Sequence, residues 1–215
     1  MLKNDLITKM IEKFEKAKSE IDALITKEKF EEAIDLIDYT LSDLFRLNLK
    51  SFNSLSDGNL VEIIRVQDLV DADRFIIISA LLESEAYIFE KQHRENDSYF
   101  IHTKALNLRL VAFIINDEPE LISYYKGIPY LIVKVDDFVF SDFTLVNLVQ
   151  YYARIGDYAE AENLLYDLLE LMPGDKNAIN FALNFYEYLL KNTDEKLEAG
   201  GLPRNEIEAA MAELK

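Results

Sequence analysis

The chain has 215 residues, of which 50% are apolar and 29% charged, with 6 Gly and 4 Pro, a composition that supports a packed core and excludes disorder along most of its length. It has no cysteine, which excludes disulfides, thiolate zinc sites and cysteine nucleophiles. With 40 Asp and Glu against 23 Lys and Arg the net charge is −17, and no long segment is net basic, so nucleic acid is not an expected partner.

From residue 4 to 26, Leu6, Met10, Phe14, Ala17, Ile21 and Leu24 recur at helical spacing with Lys and Glu between them, which predicts an amphipathic helix. Lys27 to Lys29 break the pattern. Phe30, Ala33, Ile34, Ile37, Leu41 and Leu44 then resume it to about residue 47, giving a helical hairpin over 4–47. Ser51 to Asn59 is rich in Ser, Asn, Asp and Gly and reads as a connector, with a short helix over Leu60 to Val66.

Asp71 or Asp73 is placed to cap the next helix, which runs to about Gln92 and whose apolar residues spread over more than one stripe. His93 to Asp97 reads as a polar turn, and Ser98 opens a helix through Ile115. Together these make a hairpin over 71–115. Residues 128 to 140 mix β-branched and aromatic residues that would suit a strand. Most of the stretch is read as helix, because a lone strand would leave its backbone groups unpaired and Pro129 suits a first helical turn.

From Phe143 the sequence reads FTLVNLVQYYARIGDYAEAENLLYDLLELMPGD. This resembles a tetratricopeptide repeat, a helix-turn-helix of about 34 residues. With the register set by the turn at Gly156, Leu145, Leu148 and Tyr152 fall on packing positions of the first helix, and Ala161, Leu165, Leu168 and Pro173 on those of the second. Gly156 supplies backbone freedom, Ala161 a close helix crossing, and Pro173 a stop. Val149 and Leu168 are larger than the residues usual there. Lys29 to Ala33 is similar to the family's turn, with Ala33 as its small contact, although Phe45 stands where a closing Pro would be; in 71–115, Ala105 is the corresponding small contact. After the repeat at 142–175, a further helix is expected over Asn177 to Leu190. A loop with Gly200, Gly201 and Pro203 leads to a last helix capped by Asn205 and reaching Leu214. The order of elements, with Lys3-Asn4-Asp5 leading into Met10-Ile11-Glu12, also resembles an uncharacterised family of tetratricopeptide-like proteins from low-G+C Gram-positive bacteria.

The expected fold is therefore a single all-α domain over 1–215: antiparallel helical hairpins stacked as a short TPR-like α-α superhelix with a C-terminal capping helix in 176–214. The N-terminus lacks the pattern of a secretory signal, and runs such as Phe75 to Leu82 are too short to span a bilayer, so a cytoplasmic protein with no membrane partner is expected.

Residues with chemical potential are few. Glu90 and His93 have Glu-x-x-His spacing, which puts two metal ligands on one helix face, but the second such motif is missing, since Tyr99 precedes His102 by three. Glu31, Asp35 and Asp38 share a helix face as expected of a solvated acidic surface. Tyr151, Tyr152, Phe181, Phe185 and Tyr186 are read as mutual packing on adjacent helices. No phosphate loop, dinucleotide fingerprint or nucleophile elbow is present, and Gly200-Gly201 is too isolated to cradle a phosphate. No enzyme activity, cofactor or metal is expected. The resemblance to tetratricopeptide repeats implies a groove for a protein or peptide, and its positions fall on Phe143, Val146, Gln150 and Arg154. The acidic excess favours a basic or amphipathic partner, and a self-associating structural protein or a small-molecule-binding or metal-dependent helical enzyme are the alternatives.

Overall fold

The computed structural model describes residues 2–65, 71–115, 118–136 and 139–214, residues 2–5 by backbone alone. All regular structure among the described residues is helical. Tertiary contacts divide the chain into two compact units, Met1–Val139 and Phe140–Lys215.

The N-terminal unit opens with a hairpin of α1 (Leu2–Thr26) and α2 (Phe30–Phe45). Met10, Phe14 and Ile21 are buried against Ala33, Ile37 and Leu41, so the predicted stripe forms core. Leu6 is the exception, 66% exposed: α1 has 25 residues and α2 has 16, and the first turns of α1 run past their partner.

The expected connector at 51–59 is mostly helical, as α3 (Leu49–Ser54) and α4 (Asp57–Ile64). Its polar residues are caps rather than loop formers. Asn48 Oδ1 accepts from the Ser51 N–H at 2.9 Å and Ser56 Oγ from that of Asn59 at 3.4 Å, leaving Phe52 and Leu60 free to bury completely. Val66, the expected end of the second helix, lies outside the described residues.

The centre of the unit is the antiparallel pair α5 (Ala72–Lys91) and α6 (Glu95–Ile115). Asp71 caps α5, its Oδ1 accepting from the Asp73 N–H at 3.0 Å. Asp73 does a different job: its carboxylate accepts from the N–H groups of Glu120 and Leu121 at 3.1 and 2.8 Å. α6 starts three residues before Ser98, because His93 turns the chain with φ 58 and the helix resumes at once. Ser98 is a cross-link, its Oγ donating to Ala86 O of α5 at 2.9 Å. A 3-10 turn, Ile122–Gly127, leads into α7 (Ile128–Val135). The helix expected over 128–140 is thus present over 128–135; Asp137 and Phe138 lie outside the described residues, and Val139 and Phe140 are not helical.

The C-terminal unit begins with the hairpin of α8 (Asp142–Ile155) and α9 (Tyr158–Leu171). Gly156 turns it at φ 88, a conformation costly for any residue with a β-carbon. Leu145, Leu148, Val149, Ala161, Leu165 and Leu168 are buried and Tyr152 is half-buried. α10 (Lys176–Leu189) follows, then α11 (Asp194–Ala199) where a loop was expected, then α12 (Arg204–Glu213). Thr193 Oγ1 starts α11 by accepting from Lys196 N–H at 3.4 Å. Asn205 is not the cap of α12. Pro203 holds that position without a side-chain hydrogen bond, since a proline residue pre-sets the backbone there.

The first of the two glycine residues in the linker has a structural role. Gly200 is buried, and its carbonyl accepts from the N–H groups of Tyr158 and Ala159 at 2.9 and 3.0 Å. Together with Asp157 Oδ1, which accepts from Glu160 N–H at 3.3 Å, it satisfies the first turn of α9.

Candidate functional site

α1, the start of α2, α5, α6, the 3-10 turn and α7 line a half-open cavity of about 950 Å3 in the N-terminal unit. Its decisive residue is Arg109. The side chain comes from the apolar run Leu106 to Ala112 of α6, which packs along α5, so the helix carries a cation into the core at 1% exposure. Tyr124 of the 3-10 turn faces the guanidinium, 5.6 Å from ring centre to Cζ. Gly127 closes the same side: a β-carbon there would stand 2.8 Å from Arg109 Nη1.

Glu83 of α5 supplies the countercharge, with Oε2 2.8 Å from Arg109 Nη2. The contact is a charge pair without hydrogen-bond alignment, and Nε and Nη2 of Arg109 have no hydrogen-bond partner. These two nitrogens form the side edge of the guanidinium, the fork that meets a carboxylate or phosphate through two parallel N–H···O bonds. Glu83 is less enclosed, its side chain 28% exposed. Tyr87, Tyr124, Tyr130 and Phe30 add aromatic wall, and Lys18, Lys91, Asp22 and Glu28 the remaining charges. Lys18 is already paired with Asp22 at 2.5 Å. Burial pushes the Tyr124 and Tyr130 hydroxyls above the usual phenol range, so both are neutral donors at physiological pH.

A second polar cluster is structural. Asn53 Nδ2 donates to Glu85 Oε1 at 2.8 Å, Asn107 Nδ2 donates to Asp57 Oδ2 at 2.7 Å, and Lys104 Nζ donates to Leu55 O and approaches Asp57 Oδ1 to 3.3 Å. These bonds fasten α3 and α4 to the central pair. Glu85 is 2% exposed, and its burial pushes the carboxyl from the usual 4.5 up to about 7.

The residues singled out in the sequence are dispersed. Phe143, Val146 and Gln150 are half-buried and Arg154 exposed along one stripe of α8. Gln150 Nε2 folds back onto Val146 O at 3.3 Å. Glu90 accepts from Lys134 Nζ at 2.9 and 3.0 Å, and His93 is exposed; among the described residues no group of three His, Asp or Glu is placed to hold a metal ion. Glu31 and Asp35 are exposed, whereas Asp38 Oδ1 accepts from Leu49 N–H at 2.6 Å and fixes the start of α3. Arg109 and Glu83 were missed, although a single cation inside the apolar run LNLRLVAFII is a legible sign of a buried charge.

The family model described as "Family of unknown function (DUF6483)" matches residues 1–215. The chain belongs to that family. The DUF6483 match spans both units, so the Arg109 cavity and the α8 stripe both lie within the family's sequence. Among curated proteins and solved structures, none matches the chain. No helix among the described residues is long and apolar enough to cross a membrane.

Proposed function

We propose that this protein acts by binding rather than by catalysis, and that its N-terminal unit receives a small molecule in the cavity beside Arg109. The observation that carries the proposal is a half-open cavity walled by the Arg109–Glu83 charge pair and by the rings of Tyr87, Tyr124 and Tyr130. The volume, about 950 Å3, lies at the generous end of small-molecule sites, which span roughly 300–1,000 Å3.

A thermal-shift screen of a polar metabolite library tests this reading, with hits localised by amide chemical-shift mapping. Hits should perturb residues around Glu83, Arg109, Tyr124 and Gly127, and lose their effect in Arg109→Met. A screen without hits, or hits that map elsewhere, would sink it.

A second reading concerns the C-terminal unit, favoured by the partial exposure of Phe143, Val146 and Gln150 beside exposed Arg154. The α8–α9 hairpin keeps the packing residues of a tetratricopeptide-like repeat, and α8 has α9 as its main partner within this unit. In this reading the stripe takes an amphipathic peptide whose basic residues answer the acidic excess of the unit.

A further inference from the structure

We infer that Glu85 and Asn53 form a proton-operated latch: while it holds a proton, the Glu85 carboxyl clasps α3 to α5 through two hydrogen bonds, and its ionisation loosens α3 from the central helix pair. Neither residue lines the cavity, and the latch needs no ligand.

Half of the clasp is seen directly. Asn53 Nδ2 of α3 donates to Glu85 Oε1 of α5 at 2.8 Å. The two remaining oxygens of the pair, Glu85 Oε2 and Asn53 Oδ1, are both buried and without a hydrogen-bond partner. A carboxylate beside an amide cannot repair this, since both leftover atoms are acceptors. One proton on Oε2 repairs both: the carboxyl becomes a donor, Asn53 Oδ1 accepts, and acid and amide close a ring of two antiparallel hydrogen bonds.

The surroundings favour keeping that proton. Burial acts most strongly against the charge, with Glu85 2% exposed. The Asn53 N–H and Arg94 favour the ionised form, while Asp38 of α2 and Asp97 of α6 oppose it. Arg94 is itself held by Asp97, Nε to Oδ2 at 2.8 Å. The balance pushes the carboxyl from 4.5 up to about 7. When it ionises, the Oε2–H bond breaks, the proton passes to water, and a buried charge is left against the lone pairs of Asn53.

The loosening is local because the neighbouring elements have their own fastenings. α4 is tied to α6 through Asp57, which accepts from Asn107 Nδ2 at 2.7 Å and lies 3.3 Å from Lys104 Nζ. The start of α3 is held by α2, where Asp38 Oδ1 accepts from Leu49 N–H at 2.6 Å. Between these two points α3 carries Phe52, fully buried and edge-on to Phe45 of α2 with ring centres 6.2 Å apart. A loosened α3 uncovers that ring, so the proton on Glu85 controls access to an apolar side chain.

The test is amide hydrogen exchange of the full chain, followed by NMR at about pH 5 and about pH 7.5 and expressed as protection relative to the intrinsic rate at each pH. The reporters are the N–H groups of Phe52 and Leu55, bonded to Asn48 O and Ser51 O, and the control is the Leu60 N–H of α4, bonded to Ser56 O. Protection at Phe52 and Leu55 should fall at least about tenfold from the lower to the higher pH, because the docked helix binds a proton that the loosened one releases, while Leu60 stays within about threefold. Glu85→Gln should hold α3 protection constant, its amide N–H standing in for the acid O–H. Asn53→Ala should cut α3 protection at about pH 5 by at least about fivefold, the loss expected for two neutral hydrogen bonds. If Glu85→Gln fails to fold, the unsubstituted chain and Asn53→Ala still decide the matter. Unchanged α3 protection across the pH range would overturn the latch, as would a parallel fall at Leu60, which would make the release global. Unchanged protection at about pH 5 in Asn53→Ala would overturn the acid–amide clasp.

Discussion

A β-carbon on Gly127 would stand 2.8 Å from Nη1 of Arg109. The backbone of the 3-10 turn therefore lies against the guanidinium where any larger residue would push it, and the absence of a side chain at 127 sets the position of the one cation buried in the cavity wall.

Gly127→Ala should accordingly displace Arg109 rather than strain the backbone, since Gly127 has φ −83. Overpacking of this kind costs about 1–3 kcal/mol, read as a lower urea midpoint. Ligands of the cavity should weaken with it. An unchanged midpoint together with unchanged affinity would mean that Arg109 relaxes freely and that its position is not fixed by this contact.

Replacement of Asp73 should loosen the same site from a distance. Its carboxylate holds the N–H groups of Glu120 and Leu121 immediately before the turn that carries Tyr124 and Gly127. Asp73→Ala leaves two donors without a charged acceptor, a loss of about 3–6 kcal/mol on the scale of charged hydrogen bonds. Hydrogen exchange should speed up at Glu120 and Leu121 first, and exchange unchanged there would contradict the anchoring role.

Glu85 makes stability depend on pH in an unusual direction. Burial raises its carboxyl from 4.5 to about 7 in the folded state, and while ionised it leaves two acceptors, Glu85 Oε2 and Asn53 Oδ1, without partners. Below the unfolded value both states hold the proton. Between 4.5 and about 7 the folded state keeps a proton that the unfolded chain releases, so this contribution to stability falls as pH rises and is gone above that window. The full effect is on the order of 3 kcal/mol. Glu85→Gln, a neutral mimic of the protonated acid, should flatten that part of the profile and raise stability at pH 8. A carbon-detected titration placing the Glu85 carboxyl at its ordinary value would end this account.

On α8, Phe143→Ala and Arg154→Glu should leave the melting temperature within about a degree or two, because surface changes alter stability by no more than about 0.5 kcal/mol and the two residues are half-buried and exposed. If the stripe binds a basic or amphipathic peptide, both changes should reduce its capture from solution. Retention of full capture by both variants would remove the stripe from consideration.

The helices were legible where apolar spacing and a turn residue agreed. At Gly156 the spacing of Leu145, Leu148, Ala161 and Leu165 is itself enough to mark the hairpin. They were illegible where polar residues do two jobs: Asn48 and Ser56 look like loop composition and are helix caps, and Ser98 looks like a cap and is a bond between helices. The cavity was harder still. Its fork and countercharge lie on different helices, Arg109 on α6 and Glu83 on α5, and nothing in one helix's periodicity reports which residue of another will face it. The metal-like spacing of Glu90 and His93 was visible for the opposite reason, being local, and Glu90 is instead spent on Lys134.

The carbonyl of Gly200 receives the first N–H groups of α9 from 42 and 41 residues further along the chain. The α8–α9 hairpin is for that reason not a portable cassette. Cut out at its own boundaries and grafted into another array, it would arrive with the N–H groups of Tyr158 and Ala159 unpaired and the face of Tyr158 bare, so the smallest transplantable piece of this unit extends at least through Gly200.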